Sequence, residues 1–118
     1  MKKILVAEDT ESNFLLLSII LRRDYEILRA FNGAEAVEIC RAEHPDLILM
    51  DIKMPGMNGI DTTATLRKTG TQVPIVALTA FAYDNDKLLA FEAGCNDFLS
   101  KPISPPELRR IVGKWTAK

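Results

Sequence analysis

Leu47-Ile48-Leu49-Met50-Asp51 is the stretch on which the fold turns. Four apolar side chains follow one another without polar alternation and then give way to a carboxylate, as in a short strand covered on both faces of a parallel sheet. Ile4-Leu5-Val6-Ala7 and Ile75-Val76-Ala77-Leu78 read the same way, and each also stops at a polar residue, Glu8 and Thr79. Tyr25-Glu26-Ile27-Leu28 and Asp97-Phe98-Leu99 complete a set of five strand-like runs.

Between these runs lie segments of helical period, from about Ser12 to Arg23, Ala34 to Glu43, Gly59 to Lys68, Asp84 to Ala93 and Pro105 to Trp115. Pro45, Gly70 with Pro74, and Gly94 end or follow the second to fourth helices, and Ser104 before Pro105 is placed to cap the fifth. There Leu108, Ile111, Val112 and Trp115 recur at i, i+3, i+4 and i+7, a stripe able to dock on a sheet. A βα unit repeated five times predicts the α/β class: a parallel five-stranded sheet with right-handed crossovers and helices on both faces.

The 118 residues, 47% apolar and 26% charged, suit one soluble domain over 1–118 that needs neither disulfide nor metal to fold. Fifteen Lys and Arg against sixteen Asp and Glu give a net charge of −1, which argues against a surface made to neutralise nucleic-acid phosphates. Cys40 and Cys95 sit in apolar patterns without metal-ligand spacing and read as reduced packing residues. The few apolar residues after Met1-Lys2-Lys3 are too short for a signal-peptide core or a membrane span, so a cytoplasmic protein is expected.

The chemistry lies where the strands stop: Glu8 and Asp9 after the first, Asp51 after the third, Thr79 after the fourth, Lys101 just past the fifth. An open doubly wound sheet binds ligands outside the carboxyl ends of its strands, where strand order reverses. In the order 2-1-3-4-5, strands one and three flank that reversal, so these residues should converge on one crevice. Three carboxylates so gathered repel one another unless a cation joins them, and Mg²⁺ suits acids and carbonyl oxygens while leaving room for a phosphoryl oxygen. The set then reads as phosphoryl chemistry, with Asp51 as nucleophile, the metal and Lys101 balancing charge, and Thr79 donating a hydrogen bond to the phosphoryl group. Taken singly, each residue has a plainer reading as a solvated strand end, a turn aspartate or a surface side chain. Their joint placement on one edge favours the functional one.

Over essentially its whole length the chain resembles a response-regulator receiver domain of two-component signalling. The resemblance is carried by Glu8-Asp9, by Ala30 to Ala36, by Pro45 to Asp51, by Met54-Pro55-Gly56-Met57-Asn58-Gly59, by Leu78-Thr79-Ala80 and by Gly94 to Pro102. It implies a flavodoxin-like (βα)5 fold in which Asp51 takes a phosphoryl group from a phosphohistidine on a histidine kinase or histidine phosphotransfer domain. It further implies Mg²⁺ held by Asp9, Asp51 and the Lys53 carbonyl, with Glu8 acting through water, and a switch pair of Thr79 and Phe98. The Lys101–Pro102 bond is expected to be cis, and Lys53 and Phe81 are expected to tune phosphoryl lifetime, a bulky Phe81 slowing its loss. Such a domain catalyses only its own phosphorylation and dephosphorylation. Glu8 where the family often has aspartate, and Phe98 without a tyrosine hydroxyl, are departures that leave the mechanism intact.

Phe14-Leu15-Leu16-Leu17-Ser18-Ile19-Ile20-Leu21 carries more apolar residues than one helix face can bury, so part of the first helix should remain exposed, either partly covered by neighbours or as a docking patch for the phosphodonor. An aspartate-nucleophile phosphatase is disfavoured by lysine at position 53, a nucleotide P-loop and a dinucleotide fingerprint are missing, and His44 before Pro45 reads as a surface residue rather than a phosphotransfer histidine. The rival reading is a pseudo-receiver that binds partners without phosphorylation. Glu8 to Asn13 resembles receivers attached to hybrid histidine kinases. A homodimer through the fourth and fifth helices is left open by the charge pattern.

Overall fold

Five parallel strands run in the order β2-β1-β3-β4-β5. They are β1 (Lys3–Ala7), β2 (Glu26–Ala30), β3 (Leu47–Asp51), β4 (Ile75–Thr79) and β5 (Asp97–Ser100), alternating with α1 (Glu11–Leu21), α2 (Gly33–Glu43), α3 (Gly59–Lys68), α4 (Asp84–Ala93) and α5 (Pro105–Thr116). The computed structural model describes residues 1–54, 56–80 and 84–117. Pro55, quoted above in a loop motif, and Phe81, expected to tune phosphoryl lifetime, lie outside the described residues.

Side chains alternate strictly across the sheet and sort the core into two layers. Leu5, Ala7, Ile48, Met50, Ile75 and Ala77 face α2, α3 and α4, where Ala36, Leu66 and Ala90 meet them. Ile4, Val6, Leu47, Leu49, Val76 and Leu78 face α1 and α5, packing on Leu17, Leu21, Leu108, Ile111 and Val112. Burial on both faces is why Ile4–Ala7 in β1, Leu47–Met50 in β3 and Ile75–Leu78 in β4 are uniformly apolar.

Two elements depart from the expectation by more than one residue. β2 begins one residue later and ends two residues later than Tyr25 to Leu28, because its ladder with β1 runs from Lys3↔Glu26 to Ala7↔Ala30 and takes in Arg29. Tyr25 instead leaves the strand and points its hydroxyl at Thr116 Oγ1, 3.4 Å away. The first helix ends at Leu21 rather than Arg23, since the amides of Asp24 and Tyr25 both turn back to the Leu21 carbonyl.

The loop motifs have packing reasons. Asn32 Oδ1 accepts from the Glu35 amide at 2.9 Å and Asn58 Oδ1 from the Asp61 amide at 2.9 Å, capping α2 and α3. Ser104 accepts from the Glu107 amide at the start of α5, as expected. α2 closes on His44 in the left-handed conformation, φ 50°, ahead of Pro45. At Gly59 a side chain could not fit: a Cβ there would lie 2.3 Å from the Asp51 carbonyl oxygen and 2.7 Å from Ile52 Cα. Cys40 and Cys95 are free and buried, and burial pushes both thiols up, in keeping with a packing role. No helix among the described residues is long and apolar enough to cross a membrane.

Candidate functional site

The carboxyl edge of the sheet gathers Glu8, Asp9, Asp51, Thr79 and Lys101. Parity decides how they face one another. Asp51 follows Leu49, and Glu8 and Lys101 continue the alternation of Val6 and Leu99, so all three belong to the α1 and α5 side of the sheet. Thr79 continues Ile75 and Ala77 and belongs to the α2–α4 side, as does Phe98, which pairs with Ala77.

Lys101 Nζ lies 3.2 Å from Glu8 Oε1 and 3.2 Å from Asp51 Oδ2. Its backbone amide donates to the Thr79 carbonyl at 2.7 Å, which fixes the approach of the side chain, and the Lys101–Pro102 bond is cis. Glu8 and Asp51 are 0% and 3% exposed, whereas Asp9 is exposed. One carboxylate oxygen from each of the three acids lies within 4.8 Å of the others. Lys53 enters through its backbone, its amide donating to Asp51 Oδ1 at 3.0 Å while its side chain is exposed. A small cleft of about 80 Å³ opens beside Glu8 and Lys101, walled by Asn13, Leu16 and Ile103. A larger cleft of about 400 Å³, between the ends of α2 and α3 near Cys40 and Val73, includes none of these residues.

The electrostatics are unfinished without a cation. Burial first, then the hydrogen bond and charge of Asp51, push the Glu8 carboxyl from 4.5 up to about 7, against the opposing pull of the Thr10 amide and Lys101. Burial acts to lower the Lys101 pKa, but Asp51 and Glu8 outweigh it and the net shift is upward. One ammonium therefore leaves Glu8 reluctant to ionise. Hard oxygen donors at this spacing, two of them buried, suit a divalent cation such as Mg²⁺.

A pH dependence follows. The folded chain holds the Glu8 proton more tightly than the unfolded chain, so this group's contribution is complete below 4.5 and is lost as pH rises through about 7. The metal-free chain should be less stable at about pH 8 than at about pH 5, by on the order of 2 kcal/mol from Glu8. Mg²⁺ should recover more stability on the alkaline side than on the acid side. Urea midpoints of the parent and of Glu8→Gln check this; an equally steep fall in the variant refutes it.

Thr79 Oγ1 is fully buried and has no hydrogen-bond partner among the described residues. A buried hydroxyl left unpaired costs about 1–3 kcal/mol, so its place at the site's rim points to a ligand oxygen. Phe98 is partly exposed, with Lys87 Nζ 4.2 Å from its ring centre and Phe91 meeting it edge-on at 6.3 Å. On α1, Leu15, Leu16 and Ile19 are 47%, 41% and 58% exposed while Leu17 and Leu21 are buried, which bears out the expected uncovered apolar face.

Arg29 escaped the sequence reading. Its guanidinium carbon lies over the rings of Phe14 and Phe31, 4.3 and 4.0 Å from their centres, and two of its nitrogens reach the Glu8 carbonyl. Its partners come from a helix and two loops, so no local signal marks it.

Residues 4–113 match the response regulator receiver domain family. Among curated proteins, the chain is 39% identical to the polar-differentiation response regulator DivK of Brucella ovis, covering 97% of this chain and 95% of DivK. It is 38% identical to the sensor histidine kinase GacS of Pseudomonas protegens, over 97% of this chain but only 13% of that kinase. Among solved structures it resembles the receiver domain of the sensor histidine kinase PA1611 of Pseudomonas aeruginosa, which has magnesium coordinated in its active-site cleft, with TM-score 0.91, 35% identity and 99% and 98% of the two chains covered. It also resembles the receiver domain of Ssk1 from Saccharomyces cerevisiae, seen with the histidine phosphotransfer protein Ypd1, with TM-score 0.92, 32% identity and 98% and 88% covered.

Proposed function

The chain belongs to the response-regulator receiver domain family of two-component signalling, and on that footing we propose that it is a phosphorelay receiver whose Asp51 accepts a phosphoryl group from a partner's phosphohistidine. An Asp51 carboxylate oxygen attacks phosphorus, the O–P bond forming as the P–N bond to the histidine breaks and its electron pair returns to the imidazole nitrogen. Asp9, Asp51 and the Lys53 carbonyl, with Glu8 acting through water, would hold Mg²⁺, which would neutralise charge on the phosphoryl oxygens. Lys101 adds an ammonium against both Glu8 and Asp51, held by the hydrogen bond its backbone amide donates to the Thr79 carbonyl. The observation that lifts this reading above a mere structural ion cluster is the buried Thr79 hydroxyl, without a hydrogen-bond partner among the described residues, which a phosphoryl oxygen on Asp51 would satisfy. The pseudo-receiver alternative has no observation in its favour.

The exposed face of Leu15, Leu16 and Ile19, beside the cleft at Glu8 and Lys101, is the proposed docking face for a histidine kinase or phosphotransfer domain. The domain turns over no separate substrate, acting only in its own phosphorylation and dephosphorylation, and works in the cytoplasm. The test is intact-mass spectrometry after incubation with acetyl phosphate: one phosphoryl adduct that needs Mg²⁺ supports the proposal. A folded, Mg²⁺-binding chain that stays unmodified overturns it.

Thr79 and Phe98 would carry the switch, the hydroxyl moving to the phosphoryl group and the ring turning in behind it. Lys87 over the Phe98 ring then opposes the turn, since a cation against an aromatic face is worth about 0.5–1 kcal/mol at an exposed site. Lys87→Met should bind the phosphoryl analogue beryllium fluoride about two- to fivefold more tightly. Unchanged affinity in a calorimetric titration would remove Lys87 from the switch.

A further inference from the structure

We propose that Arg29 is a positioning residue for the acidic pair, holding the peptide that joins Glu8 to Asp9; the inference rests on the reading of these acids as metal ligands. The carbonyl it grips belongs to that peptide: Arg29 Nε and Nη2 lie 3.4 and 3.3 Å from the Glu8 oxygen. Its third nitrogen, Nη1, donates to Glu11 Oε1 at 2.6 Å and so ties the first residue of α1 to the end of β2. The guanidinium carbon also lies over the rings of Phe14 and Phe31, and the Arg29 side chain is only 14% exposed. On its other side the Glu8 amide donates to the Ala30 carbonyl at 3.0 Å, so the residue is clamped by β2 through both backbone groups.

The need for such a clamp is electrostatic. Glu8, Asp9 and Asp51 repel one another, and the loop of residues 8–10 could relieve the repulsion by swinging outward. A planar five-donor fork can grip a carbonyl, a carboxylate and two rings at once, whereas a lysine ammonium cannot. Groups that orient ligands in this way commonly change metal affinity by tenfold or more when removed.

The test compares the full chain with Arg29→Met, which keeps length and packing, and Arg29→Lys, which keeps the charge. Two readings are taken: Mg²⁺ affinity by calorimetry, and amide hydrogen exchange at Thr10 without metal, an amide that donates to Glu8 Oε2 at 3.2 Å. Both variants should bind Mg²⁺ about tenfold more weakly, and their Thr10 amide should exchange several-fold faster, while exchange in β3 and β4 is unchanged. Lysine should rescue neither reading. Parent-like Mg²⁺ affinity and Thr10 exchange in a folded Arg29→Met overturn the proposal, and should that variant not fold, the same two readings on Arg29→Lys decide it. A parent chain that binds no Mg²⁺ breaks the metal reading instead, and Thr10 exchange alone then decides whether Arg29 holds the loop.

Discussion

Asp51→Asn should abolish the phosphoryl adduct and at the same time make the metal-free chain more stable at alkaline pH. The amide cannot serve as the nucleophile, yet it fills the same volume and can still accept from the Lys53 amide that now donates to Asp51 Oδ1. What changes is charge. Asp51 raises the Glu8 pKa through both its hydrogen bond and its charge, and with asparagine there Glu8 keeps only the burial penalty, opposed by Lys101 and the Thr10 amide. Its carboxyl should fall back toward the ordinary range, and stability near pH 8 should rise by about 1–2 kcal/mol. Mg²⁺ binding should weaken as a donor is lost. Mass spectrometry and urea titrations at pH 8 read the two effects together. An adduct that persists would move the nucleophile elsewhere, and a variant no more stable than the parent would mean the acids are not in tension.

Gly59→Ala should cost at least about 3 kcal/mol and cripple Mg²⁺ binding, though residue 59 bears no functional group. The added carbon would press on the Asp51 carbonyl oxygen at 2.3 Å, the Asp51 carbonyl carbon at 2.9 Å and Ile52 Cα at 2.7 Å. These are backbone atoms locked in place: Ile52 N donates to the Leu78 carbonyl and Gly59 N to the Ile52 carbonyl. Relief requires moving α3 or the end of β3, and the latter carries Asp51. Gly113→Ala is the control, because nothing lies within 4 Å of its Cβ position and alanine in α5 should stabilise by about 0.5–1 kcal/mol. Equal denaturation midpoints for the two variants would refute the packing argument.

The strands buried on both faces were legible in the sequence, since β1, β3 and β4 lie within one residue of their apolar runs. The same runs gave away the site, because whatever polar residue ends a buried strand must sit at the sheet's edge, and the parallel order brings those ends together. β2 was less legible. As an edge strand it tolerates Glu26 and Arg29, so its composition no longer reports its length. Arg29 shows the general limit: its role comes from Phe14, Phe31, Glu8 and Glu11 converging in space, and nothing in the local pattern of β2 distinguishes a clamp from a solvated edge residue. The surplus of apolar residues on α1 was legible for the opposite reason, being a matter of counting what one face can hold.

The alternation that sends Glu8, Asp51 and Lys101 to one side of the sheet and Thr79 and Phe98 to the other makes the sheet a party wall whose two sides meet at its carboxyl edge. The α1 side and the α4 side of the sheet are separate rooms. A substitution that retunes one of them leaves the other unaware, unless it moves the threshold they share, the few atoms between Asp51 and Thr79.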